Sequence, residues 1–398
     1  ALRVVRAGMI VVLHNATMPK AAFHGRPPTY LSRKTPPKLS RTLAVLAWPA
    51  LHGLKLSWCY DAHSSLPARY SASLGMDIIR QHWSVGEISQ ARVLVVTPNA
   101  QSVNEWVSTS ARIVSDLQET AGLSDIRGLT TPLGLKESGP ANLAALVLGV
   151  GKVESQFISP DRRAMWFSAV LDHPPQSIEA MASVDRIRTA TEQALVQAAI
   201  PAQVHLSGAT AETMELRDVT QSDFRRLSIL SLSIILLIVV ALLRDVLLSV
   251  FMVAATVAGY LTTLGVTSWA FGLQGSSGVD WSVQVFLFIV MVAVGQDYNL
   301  FLTVRLAQEN HDGDIFAATS RALVHTGRVI SSCGVIMAVT LGSMVVGEIK
   351  MLQQLGFALG LGMLIDTFVI RPLLLPSFIV LTRRNISKAA QFLHPPID

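Results

Sequence analysis

After the pair Arg225-Arg226 the chain changes into long apolar runs separated by brief polar joints, and this feature constrains the fold more than any other. A helix needs roughly 20 apolar residues to cross a bilayer. Runs at about 227–243, 246–270, 283–304, 329–347 and 355–381 meet or approach that length, which predicts five spans. Inside a bilayer the backbone can satisfy its polar groups only within helices or closed barrels, so the expectation is a helical bundle over 227–382. The chain is 51% hydrophobic and only 15% charged, as a membrane protein requires. Only Arg244-Asp245 separates the first two runs, which demands a tight helical hairpin.

The loop charges set the expected orientation. Arg244, the 305–328 connection with Arg305, Arg321 and Arg328, and the tail 383–398 with Arg383, Arg384 and Lys388 fall on one side, which the positive-inside rule makes cytoplasmic. The Gly-Ser-rich loop 272–280 and the loop 347–354 fall on the other side. The 305–328 connection itself reads as an amphipathic helix lying on the inner surface.

Upstream, residues 1–57 read as a linker followed by a partial membrane helix. The run Met9–Leu13 is too short to span, and Leu43 to Leu56 is interrupted by Pro49, His52 and Lys55. From 58 to 226 charges return, and short β-branched runs alternate with amphipathic ones, which predicts a soluble α/β domain. Strands are expected at Arg92–Thr97, Ala164–Leu171 and Gln203–Leu206. Helices are expected over Ser102–Ala121, from Ser177 as N-cap, and from about Thr210 into the membrane. The alternation suggests a ferredoxin-like split βαβ layer, placed outside the cytoplasm.

Candidate chemistry sits in the third span, where Gln296, Asp297, Tyr298 and Asn299 follow one another. An aspartate inside a span costs about 2.5–3.5 kcal/mol on the insertion scale and marks an ion pathway or proton relay; the competing reading is interhelical glue. Successive residues lie about 100° apart, so the four cover most of the helix circumference and the helix should be central. In the fifth span Asp366 precedes Arg371-Pro372, and this pair reads as a structural ion pair or as side chains reaching the interface. Ser331, Ser332 and Thr340 could bond the acidic helix or their own backbone.

Other chemistry finds little support. No GxxxxGK[ST] loop offers ATP binding, and the ten histidines show no HExxH or comparable ligand spacing, so neither enzymatic activity, a metal nor a cofactor is expected. Cys59 and Cys333 alone cannot build a disulfide framework. Scattered basic residues without a basic stripe argue against nucleic acid.

Four stretches, GLKLSWCYDAHSSLP (53–67), VGQDYNLFL (294–302), GRVISSCGVIMAVTLGSM (327–344) and QLGFALGLGMLIDTFVIRPLLLPS (354–377), resemble the second half of the MMPL family of the resistance-nodulation-division superfamily. The resemblance implies that Asp297 and Tyr298 take part in proton translocation, with Gln296 and Asn299 in support, and that the outer domain is a porter subdomain handling a lipidic or amphiphilic substrate. It implies a multi-pass protein of the bacterial inner membrane. Family transporters carry two such halves whose central helices face one another. A second half or a second copy is therefore the expected partner, alongside membrane lipids. A proton-driven exporter half is the favoured reading; the alternatives are a non-transporting membrane scaffold or sensor, or an accessory subunit of Sec-type protein translocation.

Overall fold

A computed structural model describes residues 36–54, 56, 58–60, 66–67, 69–118, 122–135, 142, 150–274, 276, 278–310 and 315–382. Of the expected linker and partial helix over 1–57, residues 1–35, 55 and 57 lie outside the described residues, as does the expected cytoplasmic tail over 383–398. The chain divides into two compact units, one between Ala68 and Asp223, the other joining the chain up to Cys59 with the chain from Phe224 onward.

In the first unit, α2 (Ser71–His82) precedes β2 (Ala91–Val96), α3 (Val103–Gln118), β3 (Leu123–Arg127), α4 (Val150–Phe157), β4 (Ala164–Leu171), α5 (Ile178–Gln197) and β5 (Gln203–Ser207). The four strands order as β3-β4-β2-β5, antiparallel at every neighbour. Strand β2 alternates buried and outward positions, sending Val93 and Val95 inward. Those residues, with Met165, Phe167 and Leu171 of β4, meet Trp106, Ile113 and Leu117 of α3 and Met181, Val184 and Ile187 of α5. Both helices therefore cover one face of the sheet. Ser177 caps α5 by accepting a hydrogen bond from Ala180 N at 3.1 Å.

Strand β3 was not among the expected strands. Its sequence LSDIR places Asp125 and Arg127 where apolar alternation would be needed, and a bulge between Leu123 and Asp125 breaks the register. Asp125 is buried because it organises the next turn: its carboxylate accepts from Leu135 N at 2.6 Å and pairs with Arg127 at 3.4 Å. Gly134 has φ +98°, and a Cβ there would collide with that carboxylate.

The second unit contains α1 (Pro36–Gly53), β1 (Trp58–Cys59), the later part of α6 (Ala209–Leu243), α7 (Val246–Gly272), β6 (Val279–Asp280), α8 (Trp281–Glu309), α9 (Ile315–Gly342), α10 (Lys350–Ile365), wide helical turns over Asp366–Leu374, and α11 (Leu375–Thr382). Among the described residues five helices are long and apolar enough to cross a membrane: Ala209–Leu243, Val246–Gly272, Trp281–Glu309, Phe316–Val346 and Lys350–Val380. The Arg244-Asp245 joint works as a hairpin because Arg244 takes a left-handed φ of 52° and Asp245 caps α7 through Leu248 N at 3.1 Å.

The 305–328 connection does not form a separate surface helix. Its first residues complete α8 through Glu309 and its last belong to α9 from Ile315. Arg305 and Arg321 both pair with Glu309, at 2.8 and 3.5 Å, and so hold the two helix ends together. The partial helix read over 43–56 is a full 18-residue helix beginning at Pro36. It packs against α7 so closely that a Cβ on Gly53 would meet the carbonyl of Leu261, and one on Gly265 that of Pro49. Thr262 Oγ1 donates to Leu46 O at 3.1 Å in the same contact. On α10, Gly360 faces Gly342 of α9, where an added Cβ would lie 3.1 Å from its Cα.

Candidate functional site: a buried polar cluster in the helical bundle

Four elements supply the polar groups at the centre of the bundle: α7 gives Thr256, α8 gives Gln296, Tyr298 and Asn299, α9 gives Cys333 beside Gly334, and the wide turns give Asp366, Thr367 and Arg371. Asp366 and Arg371 are bonded to each other and are 1% and 2% exposed, so neither side chain reaches an interface. Their separation in sequence explains the need for wide turns. Five residues on a regular α-helix differ by roughly 140° around the axis, whereas turns closed by i→i+5 bonds bring them to one face. Pro372, which lacks an N–H for the regular ladder, lies within this segment.

Arg371 also places its guanidinium 4.2 Å from the centre of the Tyr298 ring, a cation–π contact, and reaches toward Val294 O at 3.5 Å. Tyr298 stands beside the Cys333 thiol. Gln296 donates to Thr256 Oγ1 at 2.9 Å. Gly295 makes the close approach possible: a Cβ there would lie 3.2 Å from Thr256 and 3.9 Å from Asp366 Oδ1. Gly334 does the same on α9, since a Cβ would run into Thr367.

Asp297 occupies a different position from its neighbours. Gln296 and Asn299 are buried and Tyr298 is half-buried, but Asp297 is exposed. It belongs to a stripe along α8 made by Phe286, Ile289, Ala293, Asp297 and Phe301, spaced by three or four residues. The expectation that all four polar residues would be enclosed thus holds on three sides of α8 and not on the fourth. Ser332 and Thr340 are likewise exposed, and Ser331 is half-buried.

The end of α8 opposite this cluster is fastened separately. Asp280 caps the helix through Ser282 N at 2.9 Å, and Gln354 of α10 holds Asp280 N at 2.8 Å and Gly278 O at 3.1 Å. Strand β6 pairs in parallel with β1, matching Trp58 to Val279 and Cys59 to Asp280. Phe288 packs edge-on against both Phe224 and Tyr260. The sequence reading flagged none of these contacts, because among the polar residues in them Gln354 lies far from Asp280 and Ser282 in sequence, and none belongs to a recognisable motif.

Among the described residues no group of three or more His, Cys, Asp or Glu side chains could hold a metal. In the unit between Ala68 and Asp223, Asp161 is fully exposed. Hydrogen bonds from Ser159 and the Arg163 amide hold its carboxyl below the usual range, which fits a surface turn.

Comparison with known proteins connects this geometry to a family. The profile of the MMPL family matches residues 65–393. A membrane protein of Streptomyces coelicolor is 33% identical over 322 residues, covering 80% of this chain and 34% of its own length. The sulfolipid-1 exporter MmpL8 of Mycobacterium tuberculosis is 32% identical over 231 residues, covering 58% of this chain and 21% of its own length. The apo-petrobactin exporter of Bacillus anthracis is 24% identical over 349 residues, covering 86% and 42%. The chain thus spans less than half the length of each of these relatives.

Proposed function

The chain belongs to the MMPL family, and on that premise we propose that it is one half of a transporter that exports a lipidic or amphiphilic substrate across the bacterial inner membrane, driven by the proton motive force. The observation carrying this reading is the charge cluster in the bundle. A scaffold can hold its helices with Ser, Thr and Asn, but here an Asp–Arg pair, a tyrosine and a further aspartate share one level of the bundle. We assign the proton relay to Asp297 and Tyr298, joined through Arg371 to Asp366, with Gln296 and Asn299 orienting α8. Each charge moved along the membrane potential supplies about 2.3 kcal/mol per 100 mV, enough to bias two arrangements of the helices. The lipidic or amphiphilic substrate class is supported by the exporters to which the chain is similar, one of sulfolipid-1 and one of apo-petrobactin.

The exposed stripe on α8 supports the expectation of a second half. Phe286, Ile289 and Phe301 are 51%, 55% and 48% exposed and could face lipid, but an aspartate midway between them could not do so cheaply. A companion half, or a second copy, covers this stripe in the working transporter. The soluble unit is proposed as a ferredoxin-like porter layer outside the cytoplasm. Its two β-α-β crossovers, interleaved in an antiparallel sheet with both helices on one face, support that fold.

The test is export from proteoliposomes carrying this chain with its companion half. Asp297→Asn is expected to abolish export driven by a pH gradient while leaving the thermal unfolding profile in place. Undiminished export by Asp297→Asn would overturn the assignment of the proton relay to Asp297, and no export from the wild type under the same gradient would favour a scaffold or sensor in which the polar belt only joins helices.

A further inference from the structure

Thr256 of α7 grips α8 at two successive residues. Its Oγ1 accepts a hydrogen bond from Gln296 Nε2 at 2.9 Å and donates its own proton to Met252 O at 3.2 Å, so the hydroxyl is engaged both ways. The same side chain lies over Gly295, where an added Cβ would stand 3.2 Å from Thr256 Cγ2 and 3.5 Å from Oγ1. Both bonded residues are enclosed, Thr256 at 0% and Gln296 at 7% exposure. Two other contacts along this face of α8 use methionine. Met291 fills the space beside Gly259 of α7 and Gly362 of α10, and Thr303 meets Met252 Sδ of α7 at 3.9 Å. Methionine is unbranched and adaptable, and its sulfur is a weak acceptor, so these contacts tolerate a small turn of α8.

The Thr256–Gln296 bond does not tolerate such a turn, because a hydrogen bond fixes a direction as well as a distance. At the roughly 5–6 Å radius of a helix with its side chains, a rotation of about 20° carries the Gln296 amide about 2 Å sideways, out of bonding range. Successive residues lie about 100° apart, so holding Gln296 toward α7 also decides where the next two side chains go. Asp297 is sent to the exposed stripe of α8. Tyr298 is sent to the side where the Arg371 guanidinium stands 4.2 Å from its ring centre. We propose that Thr256 is a positioning residue: acting through Gln296, it sets the rotation of α8 about its own axis and so keeps Tyr298 on Arg371 and Asp297 on the outward face. Its part in export rests on the proton-relay reading, whereas its hold on α8 does not.

Two readouts on one set of variants separate these. In bilayers containing the chain and its companion half, solid-state NMR reads the ring-current shift that Tyr298 imposes on the Arg371 side chain. The signal is identified by its loss in Arg371→Lys, and Tyr298→Leu gives its unshifted position. Thr256→Val keeps the shape of the side chain and removes the hydroxyl, Thr256→Ser keeps the hydroxyl, and Gln296→Met removes the same bond from the α8 side. The Arg371 signal is expected to be shifted in the wild type and in Thr256→Ser, and to move to the unshifted position in Thr256→Val and Gln296→Met. Export driven by a pH gradient is expected to fall several-fold in Thr256→Val and Gln296→Met and to return in Thr256→Ser. A signal that stays shifted in Thr256→Val and Gln296→Met, that is lost in Thr256→Ser, or that is unshifted in the wild type overturns the positioning role. A signal that moves in Thr256→Val and Gln296→Met while their pH-driven export continues unchanged keeps the positioning role and refutes the proton-relay reading instead.

Discussion

Asp366 and Arg371 show how far a single residue's role depends on which way its backbone turns. Removing one member of a buried ion pair leaves the other uncompensated and costs about 3–5 kcal/mol, whereas replacing both with apolar groups of similar size is often nearly neutral. Asp366→Ala should therefore lower stability strongly in denaturant titrations of the detergent-solubilised protein, and Asp366→Leu combined with Arg371→Met should recover most of that loss without recovering export. Equal destabilisation by the single and double variants would mean that the pair contributes little as a pair. From the sequence the two residues read either as a structural ion pair or as side chains reaching the interface, since hydropathy reports depth and not direction. The wide turns around Pro372 aim them inward and pair them across five residues, a spacing that regular helical periodicity sets on different faces. Asp297 shows the opposite case. Its presence in a span was plain from QDYN, but its place on the outward stripe of α8 depends on which neighbours this half supplies.

Helices and strands were legible to the extent that their pattern was carried by apolar residues. Strands β2, β4 and β5, helix α5 with its Ser177 cap, and the Arg244-Asp245 hairpin all follow from alternation, capping and length. Strand β3 did not, because Asp125 and Arg127 serve a turn and a bulge instead of a regular pleat. Helix α1 looked interrupted because Pro49 and the polar residues near it read as breakers; contact with α7 through Gly53 and Gly265 supplies what local propensity lacks. Two element-level outcomes follow. Ser177→Ala should destabilise the soluble unit by about 1 kcal/mol, visible as a shift in its denaturation midpoint, since it removes one cap bond. Pro372→Ala restores a backbone donor and allows the wide turns to tighten toward a regular helix. It should leave thermal stability equal or higher while pH-driven export falls. If export instead survives Pro372→Ala unchanged, the wide turns are not what aligns Asp366 with Arg371 for function.

The chain combines an α/β unit with a helical unit whose long apolar helices suit a membrane, α6 running from one into the other, and its family membership was readable from four local stretches before any fold was known. The chain matches 21–42% of the length of the relatives described above, and one face of α8 presents an aspartate that a bilayer would not accept. The proposed function requires that the polar cluster move protons. It is tested most directly by proton uptake into proteoliposomes containing the chain and its companion half, followed with a trapped pH-sensitive dye under an imposed gradient and supplied substrate. Substrate-dependent uptake that disappears in both Asp297→Asn and Asp366→Asn is the predicted result; uptake retained in both variants, or independent of substrate in the wild type, would contradict it.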